Sequence, residues 1–123
     1  KKVILANDKV KLFNEVNSTK KIINFYDKCN IFVLPSYTEG APKVIFESLA
    51  RYRPIIVFEE IKHVKENFKG IFVCKRQVKD FTNKVRYIIK NYKSITKEIK
   101  KNKINTKKQF QNKLSEIFNE NYK

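Results

Sequence analysis

The 123-residue chain reads as an α/β protein built on a parallel sheet, and three observations carry that reading. Three short, continuous apolar runs, "IFVLP", "PIIVF" and "GIFVC", have the length and β-branched content of buried parallel strands. Around them lie longer stretches whose apolar residues recur at helical spacing. The pieces follow in the order strand, helix, strand, helix, strand, strand, helix, which is that of a sheet wound with helical crossovers.

Taken in order, Val3 to Leu5 and Val10 to Phe13 are short extended candidates. Ser18 offers an N-cap for a helix through about Cys29, with Ile22, Phe25, Tyr26 and Cys29 on one face. "IFVLP" has the unbroken apolar character of a strand buried on both faces. Pro42 suits the first turn of the next helix, where its missing N–H costs nothing. Val44, Ile45, Leu49 and Tyr52 are the expected buried side of that helix. "PIIVF" and "GIFVC" follow as strands, and from about Lys79 a helix carries Phe81, Val85, Ile88, Ile89 and Tyr92. The expected organisation is a sheet domain over 1–96, lacking an upstream part, and a basic helical tail over 97–123. In the tail, Phe110, Leu114, Ile117 and Phe118 form a stripe too thin for a helix buried in its own domain, so it is expected to lie across a surface.

Composition sets outer limits. The length suits one compact unit rather than two domains. The chain contains no Met, and it reads as a piece of a longer protein. Its net charge is +16, from 28 Lys and Arg against 12 Asp and Glu. That balance favours nucleic acid, phosphorylated ligands or an acidic membrane face as partners. The Lys, Asn and Ile excess also has a compositional explanation in an AT-rich genome, and the two readings carry equal weight. Cys29 and Cys74 lie far apart in apolar segments and read as reduced, buried cytosolic thiols. No run approaches the ~20 apolar residues of a membrane span, and no signal peptide is visible.

The stretch from Val33 to Val57 holds all three prolines and one of the two glycines. In open α/β sheets, ligands bind beyond the carboxyl ends of the strands. Ser36 to Ala41 forms a loop at such an end and feeds a helix start, whose free N–H groups and positive dipole end favour an anion. Gly40 lets a phosphate approach the backbone. Glu47 lies about five residues inside the helix, roughly 7–8 Å from its start at ~1.5 Å per residue. That matches the span from a distal phosphate to the ribose of a nucleoside diphosphate, whose two hydroxyls a carboxylate accepts. Glu39 precedes the helix, on the side where an attached sugar would lie. A plainer reading stands beside this one: Glu39 as a solvated loop residue, and Glu47 paired with Arg51 at i,i+4.

The same stretch, "LPSYTEGAPKVIFESLA" followed by "RPIIV", resembles the donor-binding signature of retaining GT-B glycosyltransferases, specifically glycosyltransferase family 4. Pro35, Ser36, Glu39, Gly40, Pro42, Glu47, Ala50 and Pro54 match it, and the resemblance extends from about Val10 to Asn91. It implies a Rossmann-like donor domain, the C-terminal half of a GT-B fold. Glu39 then contacts the donor sugar and pyrophosphate and is the catalytic position, holding the donor rather than attacking it. Backbone N–H groups of Gly40, Ala41, Lys43 and Val44 face the diphosphate, and Glu47 holds the ribose hydroxyls. The family usually has Gly where Tyr52 stands and often a Gly-rich turn near "EEIK", Glu59 to Lys62. Its leaving-group Arg and Lys, and its acceptor-binding domain, belong to an earlier segment.

The function implied is transfer of a sugar from a nucleotide-sugar to a glycan or lipid-linked acceptor with retention. The resemblance implies no cofactor and no metal, and no His, Asp or Cys cluster suggests one. His63 reads as a surface residue rather than a base, and Ser36 and Ser48 lack the partner a nucleophile needs. Tyr37 either lines the loop's ligand or packs. The tail lysines (Lys97, Lys100, Lys101, Lys103, Lys107, Lys108) read as a solvated face, with an anionic membrane surface as the sharper alternative. The expected location is cytoplasmic, with peripheral contact at the inner membrane face as the accompanying alternative. The rival classes are a basic α/β module binding nucleic acid and a degenerate structural glycosyltransferase half. Lysines spread along the chain and glutamates in the ligand loop count against nucleic acid.

Overall fold

The computed structural model describes residues 8–40, 42–65, 67–104 and 107–121. Helix α1 (Thr19–Lys28) leads into β1 (Phe32–Leu34), α2 (Lys43–Ala50) and β2 (Ile55–Phe58). A 3-10 segment (Glu59–Lys65), β3 (Ile71–Cys74), α3 (Val78–Lys90), α4 (Tyr92–Ile99) and α5 (Lys107–Asn121) complete the order. The strands form one parallel sheet in the order β1-β2-β3. Phe32 lies beside Ile55 and Ile55 beside Ile71; one residue on, Ile56 lies beside Phe72. This is the Rossmann-like parallel arrangement expected from the sequence.

Because side chains alternate across a strand, Phe32, Ile55 and Ile71 share one face, and Ile56, Phe58 and Phe72 the other. Tyr26 of α1 packs on Phe32 with ring centroids 5.2 Å apart. On the opposite face Phe81 and Tyr87 of α3 pack on Phe58 and Phe72, at 6.3 and 6.1 Å. Helices thus flank both faces. The core centres on β2, whose four residues are all buried. Ile45 and Leu49 of α2, Ile61, Ile71, Ile88, Ile95 and Ile99 close around it.

Several expected features take a different form. Val10 to Phe13 is not a strand; Val10, Leu12 and Phe13 are exposed, and Phe13 instead sets its ring edge-on to Phe25. β1 is half-buried rather than buried on both faces, because it is an edge strand of the described sheet. Pro42 is the N-cap of α2 rather than a first-turn residue, with extended backbone (φ −68°, ψ 122°). Tyr52 is exposed and lies beyond the helix. Ile89 is exposed too, and α3 stops at Lys90, so Tyr92 belongs to α4. The division expected after residue 96 falls inside α4, whose Ile99 is part of the core.

Other expectations fall on α1, the thiols and the chain ends. Ser18 caps α1 and accepts from the Lys21 amide at 3.5 Å. On α1, Tyr26 is buried, Ile22 and Cys29 half-buried, and Phe25 exposed. Both cysteines are free, Cys74 buried and Cys29 half-buried. Burial pushes both thiols above their ordinary range. The strand expected at Val3 to Leu5 lies outside the described residues. In α5, Leu114 and Ile117 are exposed; the side chains of Phe110 and Phe118 lie outside what is described. Among the described residues no helix is long and apolar enough to cross a membrane.

Candidate donor-binding site

The carboxyl ends of the three strands face the same way because the sheet is parallel, and their loops converge there. After β1 comes the loop Pro35 to Pro42, after β2 the 3-10 segment, and after β3 the short link Lys75 to Gln77. The Ser36 hydroxyl donates to Glu39 Oε1 at 2.8 Å, so a residue three positions earlier holds the Glu39 carboxylate. Gly40 is exposed, and a Cβ placed on it would meet nothing within 4 Å. His63 is exposed, as expected, but it is not idle: its Nε2 lies 3.1 Å from the Gly40 carbonyl. Ala41 lies outside the described residues.

Helix α2 begins at Lys43, and no side chain caps its first turn. The amides of that turn have no partner within the helix except where Ile45 N–H reaches the Pro42 carbonyl at 3.1 Å. The Lys43 side chain is 89% exposed. Its Nζ stands 3.8 Å from Glu47 Oε1, one turn along. The other Glu47 oxygen accepts from the buried Tyr26 hydroxyl at 3.0 Å. The pairing of Glu47 with Arg51 weighed from sequence does not form. Arg51 forks onto Asp27 instead, with both contacts at 2.7 Å. That fork holds the Asp27 carboxyl below its usual range. Glu47 is therefore left partly exposed, aimed from one side by Tyr26 and bordered on the other by a flexible lysine. Burial first, and the Glu47 hydrogen bond second, push the Tyr26 hydroxyl well above the usual tyrosine range.

Tyr26 and Arg76 were not among the residues singled out from the sequence. Tyr26 was read only as an apolar helix position; nothing in the spacing links it to a carboxylate 21 residues away. Arg76 lies two residues past β3, and its position at a carboxyl strand end was the available signal. A large open cleft of about 1180 Å³ lies elsewhere, along β3 between the 3-10 segment and α4, and the Glu39 loop does not line it. Its lining sets Lys62, His63, Lys69 and Glu98 beside Phe68 and Ile71, and it meets the Glu39 loop through His63, whose Nε2 reaches the Gly40 carbonyl. Among the described residues, no three His, Cys, Asp or Glu side chains group as metal ligands.

Fold and loops together define a parallel α/β protein whose polar side chains gather at the carboxyl strand ends, around an uncapped helix start. Residues 3–109 match the family model of the glycosyl transferases group 1, and the chain belongs to that family. It is 32% identical over 66 residues to an uncharacterized glycosyltransferase of Haemophilus influenzae, covering 51% of this chain and 19% of that protein. It is 28% identical over 75 residues to the N,N'-diacetylbacillosaminyl-diphospho-undecaprenol alpha-1,3-N-acetylgalactosaminyltransferase of Campylobacter jejuni, covering 58% and 20% respectively. The matched region thus spans about a fifth of the length of these relatives. No solved structure matches the chain significantly.

Proposed function

We propose that this chain is the donor-binding half of a GT-B glycosyltransferase of family 4. The whole enzyme would move a sugar from a nucleotide-sugar to a hydroxyl of a glycan or lipid-linked acceptor, with retention and without a metal. The observation that carries the reading is α2 itself. Its first turn is uncapped, Gly40 stands in open space ahead of it, and Glu47 is aimed one turn inside by Tyr26. The family membership and the diphospho-undecaprenol in the name of the Campylobacter relative support the same reading and suggest the lipid-linked class of acceptor.

In this proposal the amides of Gly40, Ala41, Lys43 and Val44 take the diphosphate, helped by the helix dipole. Glu47 accepts the two ribose hydroxyls, and Glu39 holds the sugar side of the donor. When the bond between the sugar carbon and the diphosphate oxygen breaks, its electron pair leaves with the diphosphate. The acceptor oxygen bonds to that carbon, and its proton passes to the leaving group. Developing negative charge is then stabilised by fixed N–H dipoles rather than by a nucleophilic side chain. The basic, partly exposed surface suits a cytoplasmic enzyme working beside an anionic membrane face.

The test uses the full-length protein and a panel of UDP- and GDP-sugars. Release of nucleoside diphosphate is expected with chelator present, and the product should keep the donor's anomeric configuration by NMR. An inverted product would remove retention, and turnover abolished by chelator would remove metal independence. Salt-sensitive binding of DNA or RNA with no response to any nucleotide-sugar would replace the reading with the nucleic-acid module.

A further inference from the structure

One side chain joins the three strand ends that surround the donor loop. Arg76 follows β3. Its Nε donates to Glu60 Oε1 at 2.7 Å, on the segment after β2. Its Nη2 donates to the carbonyls of Pro35 at 2.8 Å and Ser36 at 3.1 Å, immediately after β1. The guanidinium carbon also lies 3.8 Å from the Tyr37 ring centre and 4.3 Å from that of Phe58. Three consecutive loop residues, Pro35, Ser36 and Tyr37, are thus held by one cation. The next link is Ser36, whose hydroxyl carries the Glu39 carboxylate.

We propose that Arg76 is a positioning residue for Glu39, acting through the first half of the donor loop. The role assigned to Glu39 rests on the function proposed above; the grip on the loop does not. A planar guanidinium can serve a carboxylate along one edge and two carbonyls along another while its face covers an aromatic ring; a lysine ammonium cannot. Such a clamp orders the loop before the donor arrives, so the carboxylate is already aimed when the sugar binds. The far end of the loop is tethered separately, by His63 at Gly40. Loss of Arg76 should therefore loosen Ser36 to Glu39 and leave Glu47, held by Tyr26, in place.

The experiment compares full-length wild type, Arg76→Ala, Arg76→Lys and Glu60→Gln. In Arg76→Ala, kcat with the responsive sugar nucleotide should fall about 10- to 100-fold, the scale of a roughly 1 Å misplacement. Affinity for UDP, GDP and ADP, which depends on Glu47, should be unchanged. Amides from Ser36 to Glu39 should exchange hydrogen faster while those of β2 do not. Arg76→Lys should stay close to Arg76→Ala, and Glu60→Gln, which loosens Arg76 without removing it, should show a smaller loss. Wild-type kcat in Arg76→Ala overturns the proposal. So does an equal loss of kcat and nucleotide affinity with a lowered melting temperature, which marks a general structural role. If the wild type turns over no sugar nucleotide, the glycosyltransferase reading fails, and exchange at Ser36 to Glu39 alone decides whether Arg76 holds the loop.

Discussion

Helix α2 is finished in opposite ways at its two ends. At the front, Pro42 leaves the first turn without a side-chain cap and Gly40 stands in open space. At the back, almost every group is taken. Tyr52 N–H donates to the Leu49 carbonyl and Arg53 N–H to that of Ser48, both at 2.9 Å. This pair of bonds is the Schellman closure of a helix. The Ser48 hydroxyl returns a bond to the Arg53 carbonyl at 3.0 Å. The Arg53 side chain donates to the carbonyls of Tyr26 and Asp27, at the end of α1. The lesson is a division of labour along one short helix. Hydrogen bonds are concentrated behind the helix, while its front turn carries no side-chain cap, the feature on which the proposed diphosphate site rests.

That division predicts where substitutions hurt. The largest effect belongs to Gly70, behind the helix. Its φ is +95°, and an added Cβ would collide with Ile99 and approach Leu49 of α2 to 3.1 Å. Gly70→Ala should cost about 2–5 kcal/mol, combining overpacking with a strained backbone. Chemical denaturation measures it. An unshifted midpoint would mean that Ile99 and Leu49 yield freely and that the back of α2 is not tightly packed.

In front, the order of effects should reverse. Glu47→Ala in the full-length protein should weaken nucleoside diphosphate binding by about 1–3 kcal/mol, the range for hydrogen bonds to a charged group. Its melting temperature should fall at least as far as that of Tyr26→Phe, because the buried Tyr26 hydroxyl loses its acceptor. Glu39→Ala should act mainly on turnover with the sugar donor. Titration curves for Glu47→Ala that overlay the wild type would remove the ribose assignment, and with it the functional half of the comparison.

Tyr26 joins the two ends, since its hydroxyl aims Glu47 and its carbonyl receives Arg53. Tyr26→Phe keeps the ring packed on Phe32 and removes one hydrogen bond, so it should cost about 0.5–1.5 kcal/mol. It also has a pH signature. The folded state holds Tyr26 protonated above its ordinary value of 10. Its contribution is therefore complete below pH 10 and declines as the pH rises past that value. Melting curves between neutral pH and pH 11 should show wild type and Tyr26→Phe converging at the alkaline end. A constant gap would mean that the hydroxyl titrates alike in both states.

How much of this could be read in the sequence depends on the range of the interaction. Strands β2 and β3 and helix α2 announce themselves through local apolar pattern, so "PIIVF", "GIFVC" and the helix carrying Glu47 were all legible. The burial of β1 was overestimated, because an apolar run does not say whether its strand has neighbours on both sides. Val10 to Phe13 misled for a related reason: four residues of mixed character have no pattern strong enough to fix a strand without a partner. At the site, Glu39 and Glu47 stood out because of their spacing around a proline and a glycine. Their supports did not. Tyr26 reaches Glu47 across 21 residues, and Arg76 reaches across 40 to the carbonyl of Ser36, the residue bonded to Glu39; such pairings exist only once the sheet has formed.

Tyr52 is the point where both kinds of information meet. The resemblance places glycine there in the family, and the structure supplies the reason. Tyr52 has φ +58°, the sole non-glycine with positive φ among the described residues. It occupies the left-handed position of the Schellman closure, where a side chain costs roughly 1–2 kcal/mol that glycine avoids. Two effects work against a full gain. Glycine loses more freedom on folding, and the Tyr52 ring gives up the Lys100 ammonium that stands 5.4 Å from its centre. The second contact is exposed and weak. Tyr52→Gly should therefore stabilise the protein by about 0.5–1 kcal/mol. Tyr52→Asn, which tolerates the left-handed region, should fall between glycine and the parent. Nucleotide affinity should be unaffected, because the change lies at the closed end of α2. A destabilised Tyr52→Gly would show that the Lys100 contact outweighs backbone strain. A change in nucleotide affinity would show that the two ends of the helix are coupled, and that the division of labour between them is not real.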